Sequence, residues 1–297
     1  MSWVAQRRVL ITGGNTGIGK ATATQLARMG ASVTIACRDL DRAAAARADI
    51  EAVTERSVDV IELDLASLES IRRAAESVRE SLDSIDVLVN NAGVAVLGRK
   101  RRETADGFER QFGVNHLGHF LFTNLIADLV GERVINVSSA GYAIARNGLD
   151  FDDLQWTRRE YDGWGAYGAS KLANLYFTWE LADRLGPRAI TVNAAHPGFV
   201  DTELGYRRPE EGGKPKPAID QAAGSIGTVD LSALGTPLTA DEGARTSVLL
   251  ASDPGLAGIT SAYFDDHQQR VDDLGAIALD RSASARLWEL SEELVGL

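Results

Sequence analysis

A short apolar run, Val9-Leu10-Ile11-Thr12, breaks off at Gly13-Gly14-Asn15-Thr16-Gly17-Ile18-Gly19. A helical pattern carrying Ala21, Ala23, Leu26, Ala27 and Met29 begins at once and stops at Gly30. This strand–turn–helix order constrains the fold more than any other stretch, because a strand that feeds a helix pairs with its successor in parallel. Glycines in such a turn let the backbone approach a phosphate, and a helix N-terminus offers unpaired N–H groups and partial positive charge. Gly13, Asn15, Thr16, Gly17 and Ile18 are therefore candidates for nucleotide contact. For the spacing Gly-x-x-x-Gly-x-Gly a purely structural turn is the alternative.

The alternation continues along the chain. Strands are expected at 32–36, 58–63, 86–90, 133–137 and 190–194, with helices at 41–56, 68–82, 107–129 and around Tyr167. Ser67 is the expected cap of the second of these helices, with Ser70 a weaker candidate. Apolar strands separated by helices imply a single-domain α/β, Rossmann-type, doubly wound sheet of about seven mostly parallel strands, covered on both faces. Ligands in such sheets bind at the carboxyl ends of the strands. Those ends carry Cys37-Arg38-Asp39, Asp64-Leu65, Asn91-Ala92-Gly93, Ser138-Ser139 and His196-Pro197-Gly198-Phe199-Val200-Asp201-Thr202. The second strand ends in a neutral Cys37 and then Arg38, whose planar fork suits a ribose 2′-phosphate. This leans towards NADP(H), with NAD(H) still open and Arg38 as a solvated strand-end residue the alternative.

Tyr167 and Lys171 stand one turn apart in a helical run and so share a face. A free phenol titrates near 10, and an ammonium beside it favours the phenolate, which makes the pair a candidate for proton transfer. With six tyrosines and five lysines in 297 residues, such a pair arises by chance in about one chain in ten. Its weight comes from the rest of the pattern.

Thr12-Gly13-x-x-x-Gly17-x-Gly19, Asp64, Asn90-Asn91-Ala92-Gly93, Asn115, Ser139, Tyr167-x-x-x-Lys171 and Pro197-Gly198-x-Val200-x-Thr202 occur in that order. Together they resemble the short-chain dehydrogenase/reductase family over almost the whole chain, here taken as one domain, 1–297. Asn115-His116-Leu117-Gly118-His119-Phe120, Ser170-Lys171-Leu172-Ala173-Asn174 and Leu287-Trp288-Glu289-Leu290-Ser291 are similar to its retinol dehydrogenase-like branch. The resemblance implies hydride exchange between a nicotinamide cofactor and a small, largely apolar carbonyl or alcohol. It implies Tyr167 as acid or base and Lys171 as its partner and ribose ligand. Ser139 would be a donor to the substrate oxygen, and Asn115 the holder of a water that links Lys171 to solvent. Asp64, with Leu65 beside it, would contact the adenine. Asn91, Ala92 and Gly93 would line the cofactor along with Pro197 and Gly198, and Val200 and Thr202 would meet the carboxamide. A non-catalytic NADPH-sensing regulator and a reductase of a carbon–carbon double bond are the alternatives on the same fold.

Two stretches depart from the family's shortest pattern. Ser139 and Tyr167 are 28 positions apart, and the insert, about 147–164, is expected to border the active-site mouth. Residues 205–240 stand where the family carries its substrate lid; here the segment is polar, with Gly212-Gly213-Lys214-Pro215-Lys216-Pro217 within it. Membrane-bound relatives that handle retinoids have an apolar segment at that place.

The remaining features bound the function. A formal charge of −11 argues against a nucleic-acid partner, and no apolar window is long enough to span a membrane. One cysteine excludes an internal disulfide, and a cytoplasmic location is expected. His116 and His119 have no Asp, Glu or Cys spaced to complete a metal site and are read as structural. Arg99-Lys100-Arg101-Arg102 reads as a solvated loop. Leu172, Leu175, Tyr176 and Trp179 form a helical stripe that is either core or the surface of a homodimer.

Overall fold

The computed structural model describes residues 2–201 and 236–297. Thr202 and most of the expected lid, 205–235, lie outside the described residues. In chain order the main elements are β1 (Arg8–Thr12), α1 (Gly17–Arg28), β2 (Ser32–Cys37), α2 (Leu40–Thr54), β3 (Val58–Glu62), α3 (Leu68–Ser81) and β4 (Ile85–Asn90). Then come α4 (Arg110–Phe112), a π turn (Gly113–Gly118), α5 (His119–Ile126), β5 (Val130–Val137), α6 (Gly163–Leu185) and β6 (Thr191–Ala195). Beyond the undescribed segment follow α7 (Ala240–Gly243), α8 (Arg245–Ser252), β7 (Ala262–Phe264), β8 (Arg270–Val271) and α9 (Arg281–Val295).

The strands form one sheet in the order β3-β2-β1-β4-β5-β6-β7-β8. Seven run parallel, and the eighth is a two-residue antiparallel edge on β7. Alternate residues of a strand face opposite ways, so Leu10, Leu88 and Val134 pack into one apolar layer while Ile11, Val89 and Ile135 pack into the other. Both faces are thus covered, as the apolar strands require. Chain order reverses between β1 and β4, whose carboxyl ends open the crevice where such sheets bind ligands.

Local chemistry explains where elements depart from their expected bounds. The helix expected from 107 starts only at Arg110, because Glu103 and Glu109 pair as an extended bridge and the Glu109 carboxylate then accepts from Phe112 N at 2.7 Å. Ser67 does cap α3, accepting from Ser70 N, whereas the Ser70 hydroxyl accepts from Asp64 N at 3.0 Å. β5 begins three residues early at Val130, and β6 runs one residue further, to Ala195.

The stripe on α6 is core. Leu172, Leu175, Tyr176 and Trp179 are all buried within this chain. The Tyr176 hydroxyl donates to Ile277 O at 2.7 Å and the Trp179 indole to Ala278 O at 2.8 Å. α9 closes the same layer: the Trp288 ring lies 4.8 Å from Phe120 and 5.9 Å from Phe177, with the Arg184 guanidinium over it at 4.1 Å. These residues are therefore not a dimer face. Trp288→Ala empties the centre of this cluster and is expected to lower stability by about 3–5 kcal/mol, read from denaturant unfolding; a loss below about 1 kcal/mol would show that α9 is only loosely attached.

Candidate active site

At the carboxyl end of β1 the chain turns at Gly13 with φ of +67°, a conformation that a side chain resists. A Cβ on Gly19 would collide with Gly13 O and with the Asn91 amide nitrogen, so α1 can approach β4 this closely only with glycine there. Thr16 caps α1 without any side-chain hydrogen bond. The first N–H groups of the helix therefore keep no side-chain acceptor and suit an anion, which the residues of a dinucleotide site require. The turn is held from behind by Thr12, whose Oγ1 accepts from Asn91 N at 2.9 Å and Ala92 N at 3.0 Å, while Asn91 Nδ2 donates to Thr12 O at 2.8 Å.

The neighbouring strand ends carry the other expected nucleotide contacts. Arg38 is exposed directly after β2. Asp39 beside it is committed to α2, accepting from Arg42 N at 3.0 Å. The Cys37 thiol is buried and pushed up to about 12, so it is inert as a nucleophile. Asp64 accepts from Ala66 N at 3.0 Å, and Leu65 packs so tightly on Gly118 that any Cβ there would strike Leu65 O.

Ser139, Tyr167 and Lys171 meet at the end of β5. The Ser139 hydroxyl stands beside the Tyr167 ring, both bordering the point where a Cβ on Gly141 would lie, at 3.3 Å from Ser139 Oγ and 2.9 Å from the ring edge, and Ser139 Oγ accepts from Gly141 N at 3.0 Å. Lys171 is buried; its Nζ lies 5.7 Å from the Tyr167 ring centre and donates to Val137 O at 3.2 Å. Burial draws the Lys171 ammonium down to about 8. The expected effect of Lys171 on the phenol is not what this arrangement produces. In the protein alone burial pushes Tyr167 above its ordinary value, and only the neighbouring Ser139 hydroxyl pulls the other way. The lysine charge is turned to a carbonyl rather than to the phenol.

Asn115 sits in the middle of the π turn, a helix form that recurs at functional sites. Its Oδ1 accepts from Val94 N at 2.8 Å, and its Nδ2 donates to Val94 O at 3.0 Å and Ser170 Oγ at 2.9 Å. Ser170 in turn donates to Tyr167 O, which staples the π turn to α6. A point in front of Gly93, where a Cβ would stand, is 3.4 Å from Asn115 Oδ1 and 3.8 Å from Lys171 Nζ. The amide and the ammonium thus converge on one corner.

The loop after β6 closes the site from the other side. His196 Nδ1 accepts from Ala140 N and Gly198 N, each at 3.3 Å, and its ring stacks on Tyr263. Gly198 follows Pro197 and packs against Leu238 and Asp266. Val200 pairs with Leu238 as a short parallel bridge, supported by Asp201 N to Leu238 O at 2.9 Å and Leu238 N to Phe199 O at 2.7 Å. At the end of the insert, Trp164 lies edge-on to Tyr167 with ring centres 6.3 Å apart, so the insert does border the mouth. The body of the insert instead packs on α9, where Phe151 and Leu154 face Leu290 and Leu294.

A family model described as enoyl-(acyl carrier protein) reductase matches residues 13–263. The chain belongs to the short-chain dehydrogenase/reductase family. It is 42% identical to human retinol dehydrogenase 13 over 98% of this chain and 85% of that protein. Human retinol dehydrogenase 14 is 40% identical over 98% of this chain and 87% of its own length. Among solved structures, a short-chain dehydrogenase from Burkholderia cenocepacia J2315 in complex with NADP superposes with a TM-score of 0.67 at 30% identity, covering 89% of this chain and 97% of that one. The chain is thus a nicotinamide-dependent oxidoreductase of this family.

The short-chain dehydrogenase/reductase residues read from the sequence fall around one crevice, Thr202 apart. Ser170, Gly118, His196 and Thr12 stand in the motifs and strand ends read from the sequence with no role of their own, and Trp164 only bounds the insert. Among the described residues no helix is long and apolar enough to cross a membrane, and none group as a metal site.

The buried ammonium has a measurable cost. Lys171 has a lower pKa folded than unfolded, so between about 8 and 10 the unfolded chain binds more protons and stability rises with pH. Over that window the group accounts for about 3 kcal/mol. Lys171→Met should therefore melt higher than the parent near pH 7, by roughly 5 °C, with the gap closing towards about pH 10.5. A gap that does not change with pH would show that the ammonium is not desolvated.

Proposed function

We propose that this chain is an NADP(H)-preferring oxidoreductase that interconverts a small, largely apolar carbonyl compound and its alcohol, with Tyr167 as the acid or base. One observation carries the reading: Tyr167 stands beside Ser139 and the buried Lys171, at the same carboxyl edge of the sheet as the glycine turn. The cofactor, when bound, supplies or takes the hydride. The residues of the chain do the rest. Ser139 and Tyr167 present two hydroxyls to one substrate oxygen, which fixes its position and gives charge that develops there two donors. Tyr167 gives its proton to that oxygen in reduction and takes it back in oxidation. Lys171 keeps two N–H donors beyond its bond to Val137 O, enough to hold a ribose hydroxyl and to pass a proton towards the corner it shares with Asn115. Trp164 walls the mouth and keeps the phenol half-buried.

Arg38 and the engagement of Asp39 support the preference for NADP(H). With the Asp39 carboxylate committed to capping α2, the charge presented at the end of β2 is the Arg38 guanidinium. Arg38→Ala is expected to weaken NADPH binding about tenfold or more, as loss of a charge-assisted phosphate contact does, and to leave NADH almost unchanged. Equal losses for both would sink the assignment.

Reduction of a carbon–carbon double bond is a second reading, favoured by the description of the matching family model. Both are decided by NADPH consumption against aliphatic, aromatic and terpenoid aldehydes and ketones, all-trans-retinal and conjugated enones, with product analysis. Tyr167→Phe should abolish turnover of any carbonyl substrate while leaving NADPH affinity within about twofold. Retained turnover in Tyr167→Phe would refute the mechanism, and a saturated ketone formed from an enone would move the assignment to the second reading.

A further inference from the structure

Two buried histidines share one helical stretch, and they do different things. His116 bonds Ser291 Oγ at 2.8 Å and packs among aromatic rings, away from the crevice. His119 spans the two halves of the site. Its Nδ1 lies 3.0 Å from the main-chain oxygen of Asn115, and its Nε2 lies 2.8 Å from Thr12 Oγ1. A carbonyl oxygen can only accept, so Nδ1 must carry the proton. In a neutral ring Nε2 then accepts, and the Thr12 hydroxyl donates to it. That leaves the lone pairs of Thr12 Oγ1 for Asn91 N and Ala92 N, which can only donate. This assignment satisfies every partner, the 3.5 Å contact from Thr12 Oγ1 to Val89 O being the hydroxyl's longer alternative, whereas the reverse tautomer leaves Asn115 O without its donor and brings a third donor onto Thr12 Oγ1.

Position makes this link more than core packing. Thr12 ends β1 and fixes the loop that carries Asn91, Ala92 and Gly93. Asn115 stands in the π turn, with its side chain against the corner shared with Lys171. A helical side chain leans back over the preceding turn, so a histidine four residues after Asn115 covers that residue's carbonyl. The ring is 2% exposed and touches no solvent that could replace either bond. Burial also holds its pKa down to about 4, so the ring stays neutral throughout the physiological range.

We propose that His119 is a positioning residue: as a neutral Nδ1–H ring it sets the distance between the nucleotide-side loop at Thr12 and the proton-handling turn at Asn115. The inference rests on the function proposed above for what each half does, but not for where the halves lie.

The two arms can be separated by isosteres. His119→Asn places an amide nitrogen near the Nδ1 position and restores donation to Asn115 without an acceptor for Thr12. His119→Gln places an amide oxygen near Nε2 and restores the acceptor without the donor. His119→Leu removes both. NADPH affinity, read by titrating the intrinsic fluorescence of NADPH, should weaken about five- to tenfold in the Leu and Asn variants and recover in Gln, the scale expected for one lost hydrogen bond in a fixed network. The kcat for a carbonyl substrate should fall by a similar factor in Leu and Gln and recover in Asn. Crossed recovery of this kind supports the proposal. Parallel losses in all three, or unchanged kcat and affinity alongside a lowered melting point, would overturn it in favour of simple packing. Imidazole ¹⁵N NMR of the full chain gives a reading independent of turnover: Nδ1 should be the pyrrole-type nitrogen, and an Nε2–H ring would overturn the proposal even if the substrate class were right. Failure to find any carbonyl substrate would count against the proposed function alone, because the affinity and NMR arms would still stand.

Discussion

Parallel strands that stop at a ligand crevice leave backbone N–H groups with no further strand to pair with, and a buried N–H without a partner is costly. At the switch between β1 and β4 the Thr12 hydroxyl meets this need, accepting from Asn91 and Ala92 together. Asn91 returns the contact through its amide to Thr12 O. The glycine turn is therefore fastened to the loop of β4 rather than left to its own flexibility. Everything aimed into the crevice inherits its position from that fastening: the open N–H groups of α1 in front, and through His119 the π turn behind.

The catalytic corner balances two opposed effects of burial. Desolvation disfavours the charged form of each group, so it lowers Lys171 and raises Tyr167. The phenol is left protonated and the lysine is drawn down to about 8. Ser139 offsets part of the rise in Tyr167. A positive charge arriving in the crevice is what would bring the phenol down further.

The positions of the functional side chains were legible because strand ends are legible. A buried strand shows as an apolar run, its end as the first glycine or polar residue, and parallel topology brings all those ends to one edge. Asn91 and Ser139 follow from that logic, while Tyr167 and Lys171 were legible from their spacing of one helical turn. The proximity of Ser139 and Tyr167 does not follow, since 28 positions that include the insert separate them. The π turn was invisible for a different reason: Gly113 to Gly118 has the same apolar spacing that an α-helix would show. Nor could sequence tell His116 from His119. Two histidines at helical spacing look alike until the fold sets one against Ser291 and the other against Thr12. The neighbouring helix starts three residues later than expected because the fold buries Glu109 as a cap held by Phe112 N and the Tyr161 hydroxyl.

What then sets Tyr167 beside Ser139, given that apolar contact alone is non-directional? α6 is 23 residues long, and an apolar stripe of that length could be accommodated against the sheet in more than one register. A buried polar staircase removes that freedom. Asn90 donates to Thr123 and to Asn136, Asn136 donates to Thr178, and Thr178 donates back to Asn174 O within α6. Asn174 and Lys171 both donate to Val137 O, and Ser138 donates to Lys171 O. A slip of α6 by one turn would strand several of these groups without partners in a dry layer, at about 1–3 kcal/mol each. Such a penalty far exceeds what repacked leucines could return. The register of α6 is thus held by buried polar side chains, and Tyr167 stands beside Ser139 because the amides beneath them allow one alignment.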